Sequence, residues 1–348
     1  MAWPTDLTTL LKRISTPAEE VFQGLRVLGD YNKTSMDAGH GTIETNRAAM
    51  EARLLIEWAG RFATKRYYVD VTNGSDSNDG LTLTTAFATI KKAVNECKAT
   101  TPYGANKLDY IFIAPGLYPE GDIYQEGHGT HLIGLGLRGA DSGVRIIPDA
   151  DPTHCILALQ AAHCEVANIY FYSGYADPCI WSPNHLDNSW IHDCTLAGLY
   201  TTTLDCLKVL NTRDSKIENN IITGFKENGI KSYIEADAYL INTIIRDNLI
   251  GNAWNGIGAA AKGIFVDAGV LVYNSLINHN HINLAAGTTP KGIDIDATTR
   301  DGGLFITDNY VIVPDSQVAI ESAMTMHGIL HNHTLAGAVV ADPFQVVG

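Results

Sequence analysis

The feature that most constrains this chain is a repeat. A small residue followed by an aliphatic one recurs at Cys155-Ile156, Cys179-Ile180, Cys206-Leu207, Gly229-Ile230, Gly263-Ile264, Gly292-Ile293 and Ala319-Ile320, in steps of 24, 27, 23, 34, 29 and 27 residues. A second aliphatic series, Val166, Ile191, Ile217, Ile241, Ile277, Ile306 and Ile329, trails the first by 10, 11, 10, 11, 13, 13 and 9 residues. Two residues further on stand Asn168, Asp193, Asn219, Thr243, His279, Asp308 and His331, residue types suited to tight corners. Each period holds two or three short β-runs and cannot bury its own apolar face, whereas stacked copies can. The spacing predicts a parallel β-solenoid, with each strand hydrogen-bonded to its equivalent about 4.8 Å away. The intervening segments are too short for the helices of alternating βα units.

Residues 1–65 read differently. Thr16-Pro17-Ala18-Glu19 combines a capping box with proline at the first helical position. Met50, Leu54, Trp58 and Phe62 recur every four residues, which gives one apolar stripe on a helix. The expected organisation is an α-helical segment over 1–65, for docking or capping, followed by the solenoid over 66–348.

Tyr67 to Val94, YYVDVTNGSDSNDGLTLTTAFATIKKAV, resembles the opening segment of pectin-lyase-like right-handed parallel β-helix proteins. IFIAPGLY at 111–118 and HLIGLGLRG at 131–139 resemble their first coils. The resemblance covers roughly residues 67–345 and implies an all-β right-handed parallel β-helix of about eight to nine coils. It leaves function open, because this fold carries lyases, hydrolases, epimerases and non-enzymatic phage spikes alike. Thr89 to Lys98 is expected to form a small helix closing the N-terminal end of the core.

Charge and cysteine usage narrow the classes. With 24 Lys and Arg against 38 Asp and Glu, the net charge is −14, which disfavours a nucleic-acid or anionic-membrane partner. No run approaches the roughly 18 apolar residues of a membrane span, and no secretory signal is visible at the N-terminus. Cys97, Cys155, Cys164, Cys179, Cys194 and Cys206 form no CxxC pair and read as buried free thiols. No cofactor is expected. Asp70, Asp76 and Asp79 fit either a polar turn or a calcium loop.

If the first-series aliphatics point inward, the residues one and three later face out. The first outward ladder is then Leu157, Trp181, Lys208, Lys231, Phe265, Asp294 and Glu321, and the second is Leu159, Pro183, Leu210, Tyr233, Asp267, Asp296 and Ala323. Strand geometry sets Asp294 and Asp296 about 6–7 Å apart and Asp267 about 5 Å from Asp296. These three carboxylates are the candidate catalytic residues for glycoside cleavage, or a cation clamp. Trp181, Lys208, Lys231, Tyr233 and Phe265 are the candidate glycan- or partner-binding residues. A plain solvated surface is the alternative for both groups. Pectate lyases would require an arginine, which is scarce here, beside a calcium-binding Asp cluster. Of the polygalacturonase motifs only the fragment Gly127-His128-Gly129 is present. His279, His281, His331 and His333 read as corner residues.

The layout resembles phage tailspikes and related virion appendages. The leading expectation is therefore a bacteriophage-type virion structural protein, in a tailspike, fibre or capsid-decoration role. It would be a homotrimer, made in the host cytoplasm without a secretory signal and joined to other virion proteins through residues 1–65, with bacterial surface polysaccharide as a possible ligand. The alternative is a polysaccharide lyase or glycoside hydrolase acting through an acidic groove on the β-helix.

Overall fold

The computed structural model describes residues 65–100, 108–136, 143–233, 238–251, 256–296, 303–314, 317–323 and 327–335. All of them belong to a unit running from Thr64 to Gly348. The helices expected within 1–65 lie outside the described residues.

Four sheets build the unit, of ten, eight, four and nine strands, here called I, II, III and IV. Sheet I runs from Arg66–Val69 to His327–Leu330, sheet II from Ile123–Gln125 to Ile320–Ser322, and sheet IV from Gly116–Tyr118 to His333–Leu335. Sheet III is a short ladder from Leu186–Asp187 to Leu271–Tyr273. The chain passes repeatedly from I to IV to II, with III inserted before the return to I on four coils. Pairing within each sheet is parallel, as between Ile180, Leu207, Ile230, Ile264, Ile293 and Ile320. The described residues are mostly β, in parallel sheets consistent with a β-helix solenoid. Their single α-helix, Ile90–Thr100, buries Ile90, Ala93, Val94 and Cys97 against the first coils. Glu120 reaches back to accept Ile90 N–H at 2.8 Å and Lys91 N–H at 3.0 Å, satisfying two orphan donors at the helix start.

Why sheet I ends where it does is visible in the backbone. Asn168, Asp193, Asn219, Asp247, His279, Asp308 and His331 all take positive φ, between 53° and 57°, a region where Asn, Asp and His are favoured among non-glycine residues. Behind this corner stands a column of asparagines, Asn220, Asn248, Asn280, Asn309 and Asn332. Asn248 Oδ1 accepts Asn220 N–H and Nδ2–H, both at 3.0 Å. Asn248 Nδ2 donates to Ile217 O and to Asn280 Oδ1, both at 2.9 Å. Every hydrogen-bonding position of this buried amide is thus filled from the coils on either side. The motif is legible as IENN, IRDN, INHN, ITDN and ILHN, although spacing alone does not single it out.

Two positions of the repeat need correction. Ile180 pairs with Leu157, not Ile156, so Leu157 points inward and Ala158 takes its place on the outer face. The small-plus-aliphatic signature matched one residue early there because Ile156 fills the inward site that later coils give to Cys, Gly or Ala. In the second series the coil member is Ile245, paired to Ile217 and Ile277. Ile241 belongs to the inserted sheet III, which delays the corner from Thr243 to Asp247.

The small residue of the repeat has a steric cause. A Cβ built on Gly263 would lie 2.6 Å from Ile282 Cγ2 and 2.5 Å from Gly292 O, and one on Gly292 would lie 2.2 Å from Val311 Cγ1. This position faces sheet IV across the core, so it and the following aliphatic both point inward. Replacing Asn248 by alanine strands donors and acceptors on both adjoining coils. Urea unfolding of Asn248→Ala is expected to show a loss of about 2–4 kcal/mol, far above that of an exposed polar-to-alanine change.

Candidate functional site

Because two consecutive residues turn inward, the residue before the pair and the residue after it share the outer face of sheet II. The residues after the pair form one register line, Trp181, Lys208, Lys231, Phe265, Asp294 and Glu321. The residues before it form a second line, Asp205, Asn228, Lys262 and Lys291. The second line was missed from sequence, because simple alternation assigns it to the core. Its signal is the repeated triplet DCL, NGI, KGI and KGI.

The candidate binding residues converge on this face. Trp181 Nε1 donates to the Tyr233 hydroxyl at 3.0 Å, spanning two coils, and His154 packs edge-on against Trp181 at 5.7 Å. The Lys208 ammonium lies 4.5 Å from the Tyr233 ring centre, and those of Lys231 and Lys262 lie 5.8 and 3.3 Å from that of Phe265. Flat apolar rings with polar rims, flanked by ammonium groups, suit a hydroxylated ring ligand.

Asp294 faces outward as expected, yet its side chain has no exposed surface. Lys262 Nζ reaches its Oδ2 at 2.6 Å and Lys291 Nζ contacts both oxygens at 3.1 Å. Lys291 continues to Glu321 at 2.6 Å. Burial disfavours the charge on Lys291, but its bonds to Glu321 and Asp294 outweigh that and raise its pKa. Two cations and two anions therefore close on one another around Asp294. Asp267 and Asp296 stand half-exposed just past the strand ends. No group of three or more potential metal ligands occurs among the described residues. In the Asp-rich loop, Asp70 accepts from Thr72 and Asn73, Asp79 from Leu81 and Thr85, and Asp76 from Ala88 and Thr89. These carboxylates hold the turn. The six cysteines are buried and unbridged. His279 and His331 take the corner conformation, whereas His281 and His333 lie in sheet IV strands.

A second polar cluster, also missed from sequence, lies on the outer face of sheet I. Glu165 receives His131 Nδ1 at 2.7 Å and His192 Nε2 at 2.9 Å, and His192 Nδ1 meets Asp193 at 2.6 Å. A neutral imidazole has one N–H and cannot donate to two carboxylates, so these partners favour the charged form of His192 and raise its pKa. Trp190 stacks on it at 3.7 Å. The network ties three coils together, and its only sequence signal is the alternation in Trp190-Ile191-His192.

Comparison with known proteins bears on the fold. DFA-IIIase from Arthrobacter chlorophenolicus A6, without its lid, superposes with a TM-score of 0.55 at 14% identity, over 81% of this chain and 75% of that one. The same enzyme in complex with DFA-III gives 0.54 at 14% identity, over 78% and 68%. A rhamnogalacturonan lyase reaches only 0.44 at 12% identity, over 81% and 90%, too loose to add weight. No family model matches the chain, and no curated protein does. At these identities the likeness is one of fold alone. The expectation of a bacteriophage virion structural protein is corrected, since the β-helix it resembles belongs to an enzyme. That expectation rested on helix signals within residues 1–65, nearly all of which lie outside the described residues.

The sheet I cluster sets a pH dependence. Its bonds to His131 and His192 hold Glu165 down to about 2, so its contribution is present above the ordinary glutamate range and is lost as pH falls toward that value. His192 is raised: burial opposes the charged ring, and its bonds to Glu165 and Asp193 outweigh burial. Its contribution is complete below the ordinary imidazole range and is lost as pH rises through the raised value. Stability due to the cluster is expected to peak between about pH 4.5 and 6.5. Glu165→Gln should flatten that peak by on the order of 2 kcal/mol in chemical denaturation measured across pH.

Proposed function

We propose that this protein is a carbohydrate-active enzyme, a glycoside hydrolase or polysaccharide lyase, on a right-handed parallel β-helix of about eight to nine coils. Its substrate lies along the outer face of sheet II. The observation that carries this reading is the joined face of Trp181, Tyr233, Lys208, Lys231 and Phe265, on a fold shared with DFA-IIIase. Half-buried Trp181 offers stacking area, Tyr233 and Phe265 lie buried beneath the lysines, and the ammonium groups offer donors to glycan hydroxyls or carboxylates. Asp267 and Asp296, half-exposed at the far edge of the same face, form its acidic end. Asp294 serves it by holding Lys262 and Lys291.

The test is a panel of neutral and acidic polysaccharides incubated with the full chain. New reducing ends or unsaturated uronates are the readout, and release from at least one member is expected. On that substrate Trp181→Ala and Lys231→Ala should each lower kcat/KM by roughly tenfold. Asp267→Asn and Asp296→Asn report on the acidic end. A wild-type protein inert across the panel would overturn the reading.

A further inference from the structure

Asp205 opens the sheet II strand Asp205–Val209. Plain alternation would set it inside the core with Leu207. Instead Cys206 and Leu207 both turn inward, each fully buried, and the pairing passes from Asp205–Asn228 directly to Leu207–Ile230. Asp205 therefore shares the outer face with Lys208 and Lys231, whose charges act on it.

Its surroundings differ from those of the structural aspartates. Asp70, Asp76 and Asp122 have both oxygens filled by donors of their own loops or of a neighbouring coil. Asp205 is only 5% exposed. Its Oδ1 is held by Asn228 Nδ2 at 2.6 Å, while Oδ2 accepts from none of the described residues. Burial pushes the carboxyl up, against the pull of Asn228, Lys231 and Lys208. A nearly buried carboxyl with one oxygen anchored and the other without a donor, on the face that carries Lys208 and Lys231, is suited to protonating a leaving group.

We infer that Asp205 is the proton donor to the glycosidic oxygen of a glycan seated over Trp181, Lys208 and Lys231, an assignment that rests on reading this face as a glycan-cleaving site. As the bond between anomeric carbon and oxygen breaks, its electron pair stays on the leaving oxygen, which takes the proton from Oδ2. The hydroxyl of a water molecule bonds to the anomeric carbon. The remaining proton of that water passes to solvent, from which Asp205 is recharged. Asn228 acts as a positioning residue by holding Oδ1.

The experiment compares full-length wild type, Asp205→Asn and Asp205→Glu on the polysaccharide that the wild type cleaves. It repeats the comparison on an aryl glycoside of the same sugar, whose leaving group needs little protonation. Asp205→Asn is expected to lower kcat on the polysaccharide by about 10²–10³-fold, with KM nearly unchanged and the alkaline limb of the pH profile lost. The aryl glycoside should be largely spared, and Asp205→Glu should recover part of the rate. An Asp205→Asn enzyme that keeps its kcat, or that loses both substrates equally, overturns the inference and leaves the enzyme reading standing. A wild type inert on every polysaccharide overturns both. If Asp205→Asn does not fold, carboxyl-carbon NMR titration of the wild type decides instead: a midpoint above the ordinary aspartate range is expected, and one within or below it would sink the assignment.

Discussion

The structure depends on the corner after sheet I. There the backbone enters the left-handed region at one residue per coil, and the buried asparagine behind it passes hydrogen bonds to the coils on both sides. Buried amides are tolerated only when every donor and acceptor is met. In this column each amide is completed by its neighbours in the stack, so a coil slipped by one residue would leave several groups unpaired at once. Aliphatic side chains alone would permit such a slip at modest cost, because one branched chain packs much like another. The corner therefore fixes the register of sheets I and IV, and the shared core carries it to sheet II.

The shape of the outer face follows from that register. On the coils of Gly229, Gly263 and Gly292, sheet IV crowds the inner wall of sheet II so closely that a Cβ at this position would clash with Ile250, Ile282 or Val311. The chain responds by turning two consecutive residues inward, which brings the preceding residue to the outside. Asp205, Asn228, Lys262 and Lys291 come to the outer side of the sheet by this route, beside Lys208, Lys231, Phe265 and Asp294, although Asp205 and Asn228 stay buried there. A steric requirement of the core thus doubles the polar groups available on one face. It also explains why Asp294, an outward residue, is buried: two lysines from the added line close over it.

The two polar clusters have different characters. On sheet I, Glu165 between two histidines is saturated, with both oxygens and both nitrogens of His192 occupied, and it acts as a clamp between coils. On sheet II Trp181, Lys208 and Lys231 are half-buried beside the buried rings of Tyr233 and Phe265, and Asp205 has one oxygen without a donor among the described residues. Saturated charge favours stability and open charge favours chemistry, so the face of sheet II is where a reaction is best sought.

Much of this was legible in the residues alone. The period of the small-plus-aliphatic pairs determined a stacked parallel fold, the line from Ile180 to Ile320, and the outward placement of Trp181, Lys208, Lys231, Phe265 and Asp294, because strand periodicity and burial are local rules. The sequence also carried the corner types and the free, buried state of the cysteines. It misplaced Leu157 and Ile241, where a substituted small residue and an inserted strand shifted the phase. Only the tertiary structure decided that Asp205 and Lys262 face outward, that Asp294 is held between lysines, and that Glu165 lies between His131 and His192. Those outcomes depend on which side chains meet across coils some 20 to 35 residues apart, and the spacing of a repeat specifies neighbours without specifying the contacts they make.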